Sequence, residues 1–410
     1  MTSFGALSSY APALAGPDEK EAVLRGKTGS RPGGTPRRQL WTLLTLIVAA
    51  LALAAAGCGG DDDEAADTGT GGGAAEGSIW VLLPDSASSD RWEKDDRRFF
   101  EEAFSAAGVE YNIVNAEGDA NTQLQQAEQA INAGAKVILL VNLSPESGAT
   151  IVQNARDADV KVVDYDRLTA AGPGADVYVS FDNVKVGQTM ADTVGPVIDE
   201  LDGTPKVVMM NGGPTDNNSK LFKEGYNETG DFAVSKKVEA GDWALAADQD
   251  VPDWDNQQAL TLFEQILVAN DNDVDAVFAA NDGIAGSVIS ALKSANAGPI
   301  PVSGQDATAA GIQNILAGLQ TMTVYKPIEA EAKAAAEAAI ALLNGEDISS
   351  LTGDWETLTI NNGENDLPYI ALAPIAVTKD NVADTVIKDG FRTWEEICTG
   401  EFEQYCPANR

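Results

Sequence analysis

From residue 79 onward, short apolar runs alternate with longer segments in which apolar residues recur every three or four positions. Short runs without polar alternation are typical of parallel strands covered on both faces, and the longer pattern is typical of amphipathic helices. The predicted strands span residues 79–83, 109–114, 137–141, 162–165, 177–181, 207–210, 234–238, 276–280, 302–303 and 322–325. The predicted helices span residues 90–107, 122–133, 149–155, 184–198, 219–226, 257–269, 284–295, 309–316 and 329–343.

These elements form two successive runs of strand–helix units, and each run is about the size of an ordinary domain. The pattern therefore predicts an α/β fold with two doubly wound parallel-sheet lobes. In open sheets of this kind, ligands bind in the crevice beyond the carboxyl ends of the strands.

The chain before residue 79 has a different character. Arg37 and Arg38 precede an apolar run at 40–56, and small residues lead directly into Cys58. This order predicts a secretory signal over residues 1–57, and its end is similar to the bacterial lipobox, in which the cysteine is acylated. We expect residues 58–78 to form a disordered tether. A membrane-spanning anchor is the alternative, and a start codon assigned too early would explain the long segment before Arg37.

Composition narrows the possible functions. The chain of 410 residues has no histidine and a net charge of −36. The lack of histidine excludes catalysis by histidine and metal sites built from histidine. The negative net charge opposes binding to nucleic acid. The acidic run 271–275 lacks the glycine of a calcium loop, so we expect neither metal nor cofactor. In the tail, residues 396–410, we expect Cys398 and Cys406 to form a disulfide, with free thiols as the alternative.

Polar residues follow strand after strand in this pattern. Any one of them is usually a helix N-cap or a surface ion pair, and a single tryptophan is as often packed in a core. Because the recurrence places them all at one edge of two sheets, it predicts a polar crevice suited to a sugar, which both donates and accepts hydrogen bonds. The candidates are Arg91, Asp166, Arg167, Asn218, Asn281, Asp306 and Lys326, with Trp92 and Trp254 as flat apolar faces.

The same stretches resemble the periplasmic sugar-binding proteins of ABC importers, most closely the members that bind D-xylose. The resemblance covers about residues 79–392, whereas the loop 84–88 and the cysteine-containing tail depart from the family pattern. The matching stretches are residues 90–92, 165–168, 180–187, 212–218, 281–282, 303–306, 320–328 and 384–390.

The resemblance implies the type I periplasmic binding protein fold, with three chain crossings between the lobes. The implied lobes are residues 79–183 with 327–361, and residues 184–326 with 362–395. It also implies that the nine candidates named above hold the sugar, with Trp92 and Trp254 stacking on it.

The implied function is that of an extracytoplasmic, lipid-anchored monomer that captures D-xylose and delivers it to an ABC permease and its ATPase. An enzyme is not expected, because Arg167 and Lys326 should keep the carboxylates Asp166 and Asp306 ionised. Two alternatives keep the fold: the sugar is glucose, galactose, ribose or arabinose, or the receptor feeds a sensory kinase. A sugar-sensing transcription regulator would need a basic DNA-binding domain where this chain has a signal and an acidic tether.

Overall fold

The computed structural model describes residues 77–89, 91–408 and 410, so the predicted signal, Cys58 and most of the predicted tether lie outside the described residues. The strands are β1 (Ser78–Leu83), β2 (Glu110–Asn115), β3 (Ala135–Leu140), β4 (Lys161–Tyr165), β5 (Val177–Phe181), β6 (Lys206–Asn211), β7 (Ala244–Asp250), β8 (Ala276–Ala279), β9 (Met322–Tyr325), β10 (Glu356–Asn361), β11 (Asp366–Leu372) and β12 (Ile375–Thr378).

The α-helices are α1 (Arg97–Ala107), α2 (Ala120–Asn132), α3 (Pro145–Asp157), α4 (Asn183–Asp199), α5 (Asn217–Glu228), α6 (Val234–Ala240), α7 (Asn256–Ala269), α8 (Asp282–Ala295), α9 (Ala309–Leu316), α10 (Ile328–Leu343) and α11 (Trp394–Ile397). A turn of π-helix, Trp92–Asp96, leads into α1. Among the described residues, none of these helices combines the length and apolar character needed to cross a membrane.

The first lobe is built on a seven-stranded sheet with the order β10-β11-β5-β4-β3-β1-β2. Its strands run parallel except for β10, which pairs antiparallel with β11. Alternate side chains of β1 enter different cores, as the two-residue period of a strand requires. Ile79 and Val81 pack with Phe100 of α1 and the alanines of α10, whereas Leu82 packs with residues of α2 and α3. The sheet is therefore covered on both faces.

The second lobe contains the parallel strands β7-β6-β8 and the antiparallel pair β9-β12. Single bridges from Val302 to Val277 and from Gln305 to Val324 connect these two pieces. Helices α4 and α5 of this lobe lie backbone against backbone. A Cβ on Gly187 would collide with the Phe222 carbonyl group, so this approach requires glycine.

The chain passes between the two sheets three times. It crosses at Asp182 between β5 and α4, at Lys326-Pro327 between β9 and α10, and at Ala373-Pro374 between β11 and β12. The predicted α/β fold with two parallel-sheet lobes and three crossings is confirmed.

One predicted strand is wrong. Residues 234–238 begin helix α6, and the strand of this unit is β7, at Ala244–Asp250. The two valines that suggested a strand, Val234 and Val238, are four residues apart and so share one face of a helix. Gly241 ends that helix in a left-handed conformation, with φ of 79°.

The lobe boundary near residue 361 also differs from the prediction. Strand β11 follows that boundary but pairs in parallel with β5 of the first lobe. Its Tyr369 stacks on Tyr178 at a ring-centroid distance of 4.8 Å, which buries the outer part of the sheet. The crossing therefore comes after Leu372. In the tail, Cys398 and Cys406 form a disulfide with an S–S distance of 2.07 Å.

Candidate ligand-binding cleft

A cleft lies between the lobes, beyond the carboxyl ends of their strands, with about 320 Å³ of empty space that is partly open to solvent. All nine residues selected from the sequence line it. The lining consists of Ser88, Ser89, Arg91, Trp92, Asp166, Arg167, Asp216, Asn218, Phe222, Trp254, Asn281, Gln305, Asp306 and Lys326. The structure therefore brings these candidates together from segments far apart in sequence.

The first lobe fixes Asp166 through its backbone. Asp166 directly follows β4 and has a left-handed φ of 60°, a conformation that aspartate tolerates better than most residues. Its carbonyl oxygen accepts hydrogen bonds from the hydroxyls of Tyr178 and Ser180, each at 2.9 Å. With the backbone held in this way, the carboxylate points into the cleft rather than along the strand.

The second lobe presents its polar residues at helix N-termini. Asn281 caps α8, where its Oδ1 accepts from the backbone nitrogen of Ile284 at 2.8 Å. Asn218 lies in the first turn of α5, and Asp216 caps that helix. Asp306 follows the bridge residue Gln305 and has φ of 95°, so it also occupies an unusual backbone conformation at a strand end.

Asp166 is surrounded by cationic side chains in the cleft. Its carboxylate lies 2.7 Å from Arg91 Nη1 and 3.2 Å from Lys326 Nζ. From the second lobe, Asn218 Nδ2 donates to Asp166 Oδ1 at 3.0 Å. Burial alone would raise the pKa of Asp166, but Lys326, Arg91 and Arg167 together keep it well below its usual range. Asp166 is therefore an ionised hydrogen-bond acceptor at neutral pH.

A second group of contacts joins Arg167 to the other lobe. Arg167 Nε lies 3.1 Å from Asp216 Oδ2, although the angle is too poor for a hydrogen bond and leaves Nε without a partner. We regard the contact as electrostatic. Trp254 Nε1 donates to the same oxygen at 3.2 Å. Burial raises the pKa of Asp216, and Arg167 opposes that rise.

The two tryptophans are buried but face different surroundings. The Arg91 guanidinium lies 4.4 Å from the ring centre of Trp92, and that of Arg167 lies 5.5 Å from it. Trp254 packs against Gly212 and Gly213, where any side chain on Gly212 would collide with the ring. Both indoles line the cleft, so each can offer an apolar surface to a ligand.

Overall the lining is polar and electrically balanced. Three cations face three carboxylates, and the remaining polar groups are amides and hydroxyls. A site with this composition suits a neutral ligand that has several hydrogen-bonding groups, because a charged ligand would leave an uncompensated charge in a buried place. The cationic residues are Arg91, Arg167 and Lys326, and the carboxylates are Asp166, Asp216 and Asp306.

The sequence analysis did not select five lining residues. Asp216 and Gln305 adjoin selected residues in the strand-end pattern, so that signal could have found them. Ser88 ends the loop 84–88 that departs from the family pattern, and Ser89 follows it directly. Phe222 carries no sequence signal beyond its helical spacing. The five are Ser88, Ser89, Asp216, Phe222 and Gln305.

Buried side chains that do not line the cleft hold the guanidinium of Arg91 in place. Asp96 accepts from Arg91 Nε at 2.9 Å and from Nη2 at 2.7 Å, and Glu331 of α10 accepts from Nη2 at 2.6 Å. Tyr165 donates to Asp96 at 2.5 Å. Burial raises the pKa of Glu331 to about 8, against the opposing effect of Arg91. These contacts fix the guanidinium so that Nη1 points at Asp166.

Asn183 supports Asn218 in a similar way. It lies at the first crossing, where α4 begins, and its Nδ2 donates to Asn218 Oδ1 at 2.8 Å. That contact leaves Asn218 Nδ2 free to donate to Asp166. The close packing of α4 on α5 places both asparagines side by side.

This chain is similar in sequence to known periplasmic binding proteins. A family model described as a periplasmic binding protein domain matches residues 80–347. The D-xylose-binding periplasmic protein of Escherichia coli K12 is 38% identical over 325 residues, which cover 79% of this chain and 93% of that protein. The multiple sugar-binding periplasmic protein SbpA of Azospirillum brasilense is 30% identical over 327 residues, covering 77% of this chain and 90% of that protein.

The chain is also similar to a solved structure. The carbohydrate transporter solute-binding protein of Chloroflexus aurantiacus, in complex with D-glucose, superposes with a TM-score of 0.69 at 27% identity. The match covers 78% of this chain and 97% of that one.

Proposed function

Because this chain belongs to the periplasmic sugar-binding proteins of ABC transport, we propose that it captures D-xylose in the cleft and delivers it to an ABC permease. It is a binding protein and not an enzyme. The sequence identity of 38% to proteins named for D-xylose, from both Escherichia coli and Haemophilus influenzae, supports the choice of sugar.

One observation carries the proposal most strongly. The cleft combines three cations, three carboxylates and amide groups at the carboxyl ends of strands from both lobes. Sugar hydroxyls donate to carboxylates and accept from amides and guanidinium groups, so the polar groups of this cleft match the hydrogen-bonding groups of a sugar. The indole faces of Trp92 and Trp254 suit the apolar C–H faces of a pyranose ring.

Capture follows from the division of the site between lobes. Asp166, Arg91 and Arg167 belong to the first lobe, whereas Asn218 and Asn281 belong to the second. A ligand that bonds to both sets interacts with more groups when the lobes are closed than when they are apart, and this difference shifts the population toward the closed form.

The proposal includes a lipid anchor at Cys58. It rests on the basic segment, the apolar run and the small residues before that cysteine, and on the Gly-, Ala- and Asp-rich segment that follows. The anchor would keep the receptor near its permease, while the tether of about 20 residues would allow it to reach roughly 25 Å from the membrane.

A second candidate is a receptor for several monosaccharides. The 30% identity to a protein named as a multiple sugar-binding protein favours it. The two candidates differ in how far the cleft discriminates between pentoses and hexoses.

A ligand screen tests the proposal. The thermal unfolding temperature is measured with D-xylose, D-ribose, L-arabinose, D-glucose and D-galactose, and each sugar that raises it is titrated by calorimetry. We expect D-xylose to bind with the highest affinity. Comparable affinities for the hexoses would favour the second candidate, and no binding by any of the sugars would refute the proposal.

A further inference from the structure

Arg392 reaches from one lobe to the other beside the cleft. Its Nη1 and Nη2 lie 3.3 and 3.2 Å from the two carboxylate oxygens of Asp95, and its Nε donates to the carbonyl oxygen of Ala307 at 3.1 Å. Both side chains are largely buried, at 11% and 5% exposed. A bidentate (two-pronged) contact, in which two nitrogens of a guanidinium face the two oxygens of a carboxylate, is strong and depends closely on geometry.

The partners of Arg392 adjoin cleft residues on both sides. Asp95 lies in the π-helical turn that begins at Trp92, and the next residue, Asp96, holds the guanidinium of Arg91. Ala307 directly follows Asp306. Arg392 itself does not line the cleft. It therefore contacts the backbone segments that carry cleft residues from each lobe without touching the space for a ligand.

Arg392 is fixed to the second lobe. Its backbone nitrogen donates to the carbonyl oxygen of Val386 at 3.0 Å, and its guanidinium lies 3.8 Å from the ring centre of Phe391. Phe391 in turn packs against Tyr325 of β9, with ring centres 5.0 Å apart. Arg98, on the same helical segment, lies 3.9 Å from Asp95 but belongs to the first lobe like Asp95 itself. The pair of Arg392 and Asp95 is therefore a contact between lobes.

We propose that Arg392 is a positioning residue that stabilises the closed form and slows release of the sugar. This inference rests on the proposed function, because it assigns a role in sugar retention to a residue outside the cleft. When the lobes are apart, Arg392 and Asp95 are each hydrated. When the lobes close, they neutralise each other and align the segments that carry Trp92 and Asp306.

Dissociation kinetics test the proposal. Stopped-flow tryptophan fluorescence gives the association and dissociation rates of D-xylose, because Trp92 and Trp254 line the cleft. In Arg392→Gln we expect dissociation to become about tenfold faster, which corresponds to about 1.4 kcal/mol. Association should change less than about twofold, because the variant affects the closed form only. Arg392→Lys, which keeps the charge but not the two-pronged geometry, should give an intermediate rate.

Arg97→Gln is the matched control. Arg97 makes a similar two-pronged contact with Glu93, at 2.7 and 3.0 Å, but within one lobe. We expect this variant to release D-xylose at the wild-type rate. An unchanged dissociation rate in Arg392→Gln, or an equal increase in Arg97→Gln, would overturn the role of Arg392.

A double-mutant cycle separates this inference from the proposed function. Asp95→Asn, Arg392→Gln and the double variant are compared with the wild-type protein in the dissociation rate of D-xylose. The double variant should release the sugar no faster than Arg392→Gln alone. Wild-type protein that binds no sugar would refute the proposed function, whereas D-xylose binding with strictly additive effects of Asp95→Asn and Arg392→Gln on the dissociation rate would refute the role of Arg392 alone.

Discussion

The two sides of the cleft are built differently. The first lobe contributes charged side chains that are paired with one another and with a buried layer, in which Asp96 and Glu331 hold Arg91. The second lobe contributes residues at helix N-termini, such as Asn281, whose side chain also caps α8. Substitution of Asp166 should therefore leave buried charges without partners, whereas substitution of Asn281 should remove a cap and a ligand contact.

The largest expected effect is that of Asp166→Ala. The variant leaves Arg91 and Lys326 without their shared carboxylate at the centre of the cleft. We expect D-xylose binding to become undetectable by calorimetry, and the free energy of unfolding to fall by about 3 kcal/mol in urea titrations, because a buried pair is broken. Asp273→Ala, which breaks an exposed pair with Lys206, should leave stability close to that of the wild-type protein. Wild-type affinity in Asp166→Ala would remove this residue from the site.

Asn281→Ala tests the second lobe, with a smaller expected effect. Loss of the cap should reduce the free energy of unfolding by about 1 kcal/mol, and loss of a ligand contact should weaken D-xylose binding about tenfold, or about 1.4 kcal/mol. Asp119→Ala removes a cap of the same kind from α2, away from the cleft. It should cost similar stability with no change in affinity. Equal affinity losses in the two variants would contradict a ligand role for Asn281.

A pH-dependent difference is expected for Glu331→Gln. Burial raises the pKa of Glu331 from 4.5 to about 8, so the folded protein keeps a proton that the unfolded chain loses. The stability from this group is fully present below about pH 4.5 and is lost as the pH rises through about 8, at up to about 1.4 kcal/mol per pH unit. The groups that act on Glu331 are Arg91, Asp96, Asp166 and Lys326.

Urea titrations between pH 5 and 8.5 check this expectation. Burial also raises the pKa values of Asp164 and Asp282, each to about 7, so the wild-type curve contains their contributions. The informative quantity is the difference in stability between the wild-type protein and Glu331→Gln, which should shift in favour of the variant as the pH rises. A difference that does not vary with pH would mean that Glu331 remains ionised throughout.

The fold and the lining of the cleft follow from local signals. Apolar runs predict β1–β6, β8 and β9 but not β7 or β10–β12. Polar residues at the strand ends identify the edge where Asp166, Asn281 and Asp306 meet. The wrong strand at 234–238 shows the limit of such signals, because two valines four residues apart fit a helix as well as a strand. Residues 366–372, which form β11, fall in the wrong predicted lobe because the strand with which they pair, β5, is distant in sequence.

The supporting contacts could not have been predicted. Glu331 lies in an alanine-rich helix that carries other acidic residues, and nothing in that pattern marks it as the buried one. Asp95 and Arg392 are separated by 297 residues and are brought together only by the docking of the two lobes. Both cases depend on tertiary packing, which does not produce a local sequence pattern.

The central claim is that one sugar molecule forms hydrogen bonds to both lobes at once. A crystal structure of the D-xylose complex tests this claim most directly. We predict a single D-xylose between Trp92 and Trp254, with hydroxyl groups within hydrogen-bond distance of Asp166 from the first lobe and of Asn281 or Asp306 from the second. A sugar that contacts one lobe only, or that lies outside this cleft, would contradict the account.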